Sequence, residues 1–278
     1  MSNLVLYTYR SGSTLLADLL SYSQGTINLG EGLSSLVRHY NYNLPEHRQT
    51  DLYKAFTTHM SGRYYNMGTK GSDHIGFFRA KAERINILKN SNEQWTIKDT
   101  LEKLSLELSF IEHCIDNNIN IYMTHRRNIT EQFISKINAR YRQEISDLKT
   151  KDHTKADFIY TNQDTFATYD EMKVPFSWLH MYVNVFLGQL FMWRTVYDRY
   201  RDYIQVVSYE DNIKPLKLSK FGISDEHIRH YNQEQTHLVP TPFNSKNLVV
   251  ADKLPPSINS AWEQSLYLVA KHQYLVEI

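Results

Sequence analysis

Residues 4–22 constrain the fold more than any other stretch. Leu4 to Tyr9 is an apolar and aromatic run of strand length, and Leu15, Leu16, Leu19 and Leu20 fall on one face of a helix. Between them lies a five-residue loop, Arg10-Ser11-Gly12-Ser13-Thr14. A strand that turns through a glycine into a helix points the helix's first amides at the turn, and these amides and the helix dipole attract an anion. Gly12 allows close approach of the backbone, Ser13 and Thr14 add hydroxyl donors, and Arg10 adds a forked cation. The same pattern also fits an ordinary strand-to-helix turn with a solvated arginine. A nucleoside triphosphate loop of the Walker type needs two glycines around four residues and a following Lys, and this loop has one glycine and no lysine.

A second strand, loop and helix occupies residues 119–141. Ile-Asn-Ile-Tyr-Met-Thr-His reads as a strand, Arg126-Arg127-Asn128 follows, and Asn128 with Glu131 forms a capping pair for a helix with Phe133, Ile134, Ile137 and Tyr141 on its apolar face. A third strand-like run, Ile204 to Tyr209, is followed by Glu210-Asp211. Trp95-Thr-Ile-Lys-Asp-Thr is a further strand, followed by a helix with Leu101, Leu104, Leu108, Ile111 and Ile115. Strands and helices alternate along the chain, the arrangement that a parallel sheet covered by helices requires, so the fold class is α/β.

The Arg-Ser-Gly-Ser-Thr loop resembles the 5′-phosphosulfate loop of sulfotransferases, in the form found in their carbohydrate-directed and bacterial branches. The resemblance covers residues 1–36, 95–141 and 200–212, with a weaker likeness at Pro242 to Val249. It implies a P-loop-like sulfotransferase fold and 3′-phosphoadenosine 5′-phosphosulfate (PAPS) as co-substrate, with no metal. The donor's 5′ end is then assigned to Arg10, Ser11, Gly12, Ser13 and Thr14, with Arg10 also counted in the chemistry. Arg127 and Ser135, eight residues apart, have the spacing with which sulfotransferases hold the 3′-phosphate. Where the family often has Arg-Asp-Pro this chain has Arg-Arg-Asn; Arg126 is the alternative, and spacing favours Arg127. Tyr209-Glu210-Asp211 matches a segment of the family that is read as structural, and Lys246 is either a phosphate contact or a solvated lysine.

Sulfuryl transfer needs a base for the acceptor proton and positive charge beside the departing phosphate. Glu31, in Asn28-Leu-Gly-Glu-Gly-Leu, stands where carbohydrate-type sulfotransferases carry a catalytic glutamate, and the flanking glycines are expected to let the backbone bend toward the donor loop. A solvated acidic turn residue is the other reading. Lys98 matches a strand lysine that touches the transferred sulfonate in many sulfotransferases; it equally suits a strand end beside an ordinary ion pair of Asp99. The glycine-rich Arg-Lys-Gly segment of phenol and steroid sulfotransferases is absent, which implies a sugar, glycan or other polar hydroxyl acceptor. A phosphotransferase using Mg²⁺ and a non-catalytic phosphonucleotide binder are the alternatives.

Composition bounds these readings. The 278 residues suffice for one elaborated domain, with residues 145–175 as a polar insertion or lid. A net charge of +1 gives no broad basic field for nucleic acid. The lone cysteine, Cys114, falls in an apolar helix and reads as packing. Met1 to Asn3 has no positive region and Leu4 to Tyr9 is too short for a signal core or a membrane span, so a cytoplasmic enzyme is expected. After Pro255-Pro256, Ile258, Trp262, Leu266 and Val269 resume helical spacing and are expected to pack on the sheet. Oligomeric state is not readable from these patterns.

Overall fold

The structure is a computed structural model that describes residues 1–8, 11–33, 43–58, 74–101, 104–137, 176–234 and 256–278. Arg10, Lys246 and the expected lid at 145–175 lie outside the described residues. The chain forms two compact units, one of residues 1–125 and 192–234, the other of residues 126–191 and 235–278.

The first unit is built on five parallel strands: β1 (Asn3–Tyr7), β2 (Ile27–Gly30), β3 (Trp95–Thr100), β4 (Asn120–His125) and β5 (Ile204–Ser208), in the order β2-β3-β1-β4-β5. Parallel neighbours need crossovers of a dozen or more residues, which helices supply. Those in this unit are α1 (Ser13–Gln24), α2 (Asp51–Thr58), α3 (His74–Lys89) and α4 (Leu104–Asp116); α5 (129–137) belongs to the second unit, α6 (Phe176–Tyr200) runs from the second unit into the first, and α7 (Asp225–Glu234) follows β5. β1 is flanked on both sides, and all five of its residues are buried. That is why its sequence is a continuous apolar run and not an alternating one. Leu4 pairs in register with Ile97 and Ile121, and these side chains join Leu6, Met123, Phe110, Ile111, Cys114, Trp193 and Val196 in one core. Each such aliphatic or aromatic side chain contributes about 1.5–3 kcal/mol on burial.

From β1 the chain passes to β2 and back to β3 on one side, whereas β4 leads to β5 on the other. The connections therefore diverge at the β1/β4 border, and in open α/β sheets ligands bind beyond the carboxyl ends of the strands at such a point. The β1–α1 turn sits there.

In the second unit, Ile129, Phe133 and Ile137 of α5 pack with Leu179, Val183, Phe186 and Leu190 of α6. Helix α8 (Pro256–Ala270) adds Ala261, Trp262 and Val269. The C-terminal helix thus buries its apolar side in a helical cluster, with Trp262 stacked on Phe133, and not with strand residues as its periodicity alone suggested. Among the described residues no helix is long and apolar enough to cross a membrane.

Candidate functional site

The first helix begins at Ser13, so Ser13 and Thr14 belong to its first turn and not to the preceding loop. Gly12 is the cause. It occupies the N-cap with φ 81°, a left-handed conformation that turns the chain sharply and that glycine adopts without strain. Its missing side chain matters as much, because a Cβ there would lie 2.8 Å from Ile213 Cγ2 and 3.0 Å from Tyr209 Cδ2. A glycine cap has no side chain to answer the first amides of α1, and the first turn carries no acidic residue.

The Tyr209–Ile213 turn after β5 is therefore the wall against which Gly12 packs. Its own geometry is set locally: Ser208 Oγ accepts from the Asp211 amide at 3.2 Å, and Asn212 Oδ1 accepts from the Ser208 amide at 3.0 Å. The Ser208 and Asn212 side chains thus build a local scaffold in which Asp211 takes part through its backbone amide.

Ser11 is fully buried and faces inward. Its hydroxyl donates to the Thr8 carbonyl at 2.7 Å and lies 2.6 Å from Thr124 Oγ1 of β4. With its one hydrogen committed to Thr8, it accepts from Thr124. The Ser11 side chain ties the loop across the β1/β4 border. Tyr7 pairs with both Thr100 and Thr124, so β3 and β4 end at the level where the loop leaves β1.

Three predicted site residues converge at this edge from three elements. Lys98 of β3 donates to Thr14 Oγ1 at 2.6 Å and to Glu31 Oε1 at 2.8 Å, and its ammonium stands 5.1 Å from the centre of the Tyr7 ring. The Lys98 side chain is 6% exposed and that of Glu31 is 27% exposed. The Glu31 turn is held firmly: Asn28 Oδ1 accepts from the Gly30 amide at 2.9 Å, the Gly32 amide donates to the Leu29 carbonyl at 2.9 Å, and Arg84 donates to the Gly32 carbonyl at 2.8 Å. Asn28 in turn donates to Asp18 of α1 at 2.5 Å, and Tyr231 of α7 donates to the other Asp18 oxygen at 3.2 Å. A Cβ on Gly32 would meet the Leu29 carbonyl at 2.9 Å. Of the two glycines around Glu31, Gly30, at φ 52°, supplies the expected bend, and Gly32 serves close packing.

Asp99, next to Lys98, leaves the strand on the opposite face. It pairs with Lys81 of α3 at 2.7 Å, and Lys81 also reaches Glu107 of α4 at 2.6 Å, all three being buried. Burial alone would lower the Lys81 ammonium, but the two carboxylates outweigh it and raise its pKa above the ordinary 10.5. Cys114 is buried, and burial pushes its thiol up to about 12, as a packing residue requires.

Arg127 and Ser135 belong to the second unit. Asn128 caps α5 as expected, its Oδ1 accepting from the Glu131 amide at 3.0 Å. The Glu131 carboxylate is 3.8 Å from Arg126. Arg127 is exposed and its carbonyl accepts from Gln273 Nε2, while Ser135 is half-buried.

Sequence reading missed Thr124, Tyr209 and Ile213 as loop supports and Arg84 as the clamp of the Glu31 turn. Each lies 52 or more residues from its partner and carries no local signal. The opposed faces of Lys98 and Asp99 were open to inference from strand alternation. As it stands, the cluster can offer a tetrahedral oxyanion an ammonium, a hydroxyl and helix-start amides, with a carboxylate beside them. No protein-family model, curated protein or solved structure matches the chain.

Proposed function

We propose that the chain is a sulfotransferase of P-loop-like fold that moves a sulfonate group from PAPS to an acceptor hydroxyl, with a sugar or glycan as acceptor. The observation that carries this reading is the meeting of Thr14, Lys98 and Glu31 within 2.8 Å at the carboxyl edge of the sheet, beside a helix start capped by glycine. Those residues were singled out separately, each for its own role in such a reaction, from sequence positions up to 84 residues apart.

In this reading Glu31 takes the acceptor proton. Lys98 and Thr14 hold the transferred sulfonate, and the α1 amides with Arg10 offset the charge that develops on the departing 5′-phosphate. The 3′-phosphate is assigned to Arg127 and Ser135. The eight-residue spacing to Ser135 and the exposure of Arg127 favour Arg127 for that contact.

The test is transfer of labelled sulfonate from PAPS to a panel of glycan and small hydroxyl acceptors. Turnover with at least one acceptor is expected, and Glu31→Gln should lower it by about 10² to 10⁴, the usual worth of a positioned base. No transfer to any acceptor, together with no preference for adenosine 3′,5′-bisphosphate over ADP, would refute the reading.

A further inference from the structure

We propose that Lys98 and Thr14 form an oxyanion site for which Glu31 is an internal competitor, so that the donor's sulfonate and the Glu31 carboxylate exclude each other from one ammonium. The proposal rests on the sulfotransferase reading for its ligand and adds an order of events to it: donor binding releases Glu31, and only then does the carboxylate face an acceptor hydroxyl.

The geometry is specific. The Lys98 side chain is almost wholly buried, so its ammonium is approached from few directions, and two of its three N–H donors are directed at Thr14 and Glu31. Because Thr14 Oγ accepts from Lys98, its own hydrogen is turned toward another acceptor. An oxyanion bound by that hydroxyl, the α1 amides and Lys98 must then come close to Glu31 Oε1, which is 2.8 Å from the same nitrogen. Two anions at one ammonium disfavour each other.

Glu31 yields by turning its side chain and not by moving its backbone. The turn is clamped by Asn28, by the Gly32–Leu29 hydrogen bond and by Arg84, and Gly32 lacks the space for even a methyl group. A fixed backbone with a swinging carboxylate keeps the base within reach of the sulfonate. In the step that follows, the acceptor oxygen forms a bond to sulfur while Glu31 receives the acceptor's proton. The bond from sulfur to the 5′-phosphate oxygen breaks, and its electron pair stays on that oxygen, giving adenosine 3′,5′-bisphosphate.

Calorimetry on the whole chain tests the competition with three probes: inorganic sulfate, PAPS without acceptor, and adenosine 3′,5′-bisphosphate. Glu31→Gln should tighten sulfate and PAPS by about tenfold, the effect of removing one charged competitor. It should tighten the bisphosphate less, because that nucleotide lacks the sulfonate. Glu31→Ala should act in the same direction, and in a Lys98→Met background either change should alter affinity less than twofold. Unchanged or weaker sulfate and PAPS binding in both Glu31 variants would overturn the competition, even in an enzyme that turns over PAPS. Tightening of sulfate that disappears with Lys98→Met would uphold the competition even where no acceptor is sulfonated, and only the sulfotransferase reading would then fall.

Discussion

Lys98 and Asp99 are consecutive in β3 and serve opposite faces of the sheet, Lys98 reaching Thr14 and Glu31 while Asp99 is buried against Lys81. The strand segment that delivers the site's ammonium is therefore anchored from behind by a second ion pair. Replacing Lys81 by Met should leave Asp99 and Glu107 buried without their cation, a loss of about 3–5 kcal/mol when one partner of a buried pair is removed. Urea denaturation midpoints of the two proteins measure it.

The same pair has a pH signature. Lys81 has a folded-state pKa above the ordinary 10.5, so its stabilising contribution is fully present below that value and disappears as pH rises through the raised one. The stability gap between the wild type and Lys81→Met should stay constant from neutral pH to about 10 and narrow only beyond it.

Gly12→Ala should be costly twice over. A non-glycine residue at φ 81° costs roughly 1–3 kcal/mol, and the added methyl would overlap Ile213 and Tyr209. Combining it with Ile213→Ala removes part of the overlap and none of the backbone strain. The double variant should recover part of the denaturation midpoint, and adenosine 3′,5′-bisphosphate affinity should remain impaired in both.

Arg127→Ala should erase most of the preference for adenosine 3′,5′-bisphosphate over ADP, whereas Arg126→Ala, which removes a neighbour of Glu131, should leave it largely intact. Isothermal titration with the two nucleotides reads the difference directly. Reversal of the two effects would move the 3′-phosphate contact to Arg126.

On the proposed sulfotransferase reading turnover should persist in excess EDTA, because that reading assigns to Lys98, Arg10 and the α1 amides the positive charge that a divalent ion provides in phosphotransferases. Activity that disappears on chelation and returns with Mg²⁺ would point to phosphoryl chemistry instead.

Much of the secondary structure was legible because its signals are local. The apolar run of β1, the leucine face of α1 and the Asn128 cap each depend on neighbours within a few residues, and each stands in the structure. The start of α1 was displaced by two residues, since the left-handed turn that ends at Gly12 is a property of backbone geometry that leucine spacing does not record. The strand order, the wall formed by Ile213 and the clamp on Glu31 depend on contacts between distant segments, which no window of sequence contains. The C-terminal helix shows the same limit from the other side. Its periodicity announces an apolar face but not the identity of the surface that covers it.

The central position of β1 has a consequence for biosynthesis. Its two partners begin at Trp95 and Asn120, so a strand of sequence Asn-Leu-Val-Leu-Tyr leaves the ribosome long before either edge can be paired. At roughly 5–20 residues per second, some ninety residues correspond to an interval of about 5–20 s. An uncharged apolar strand with two open edges is a template for pairing with other chains. The nascent polypeptide is therefore at its most aggregation-prone before β3 has been made, and yield in the cell should respond to chaperones that act at the ribosome more than to those that act on the finished chain.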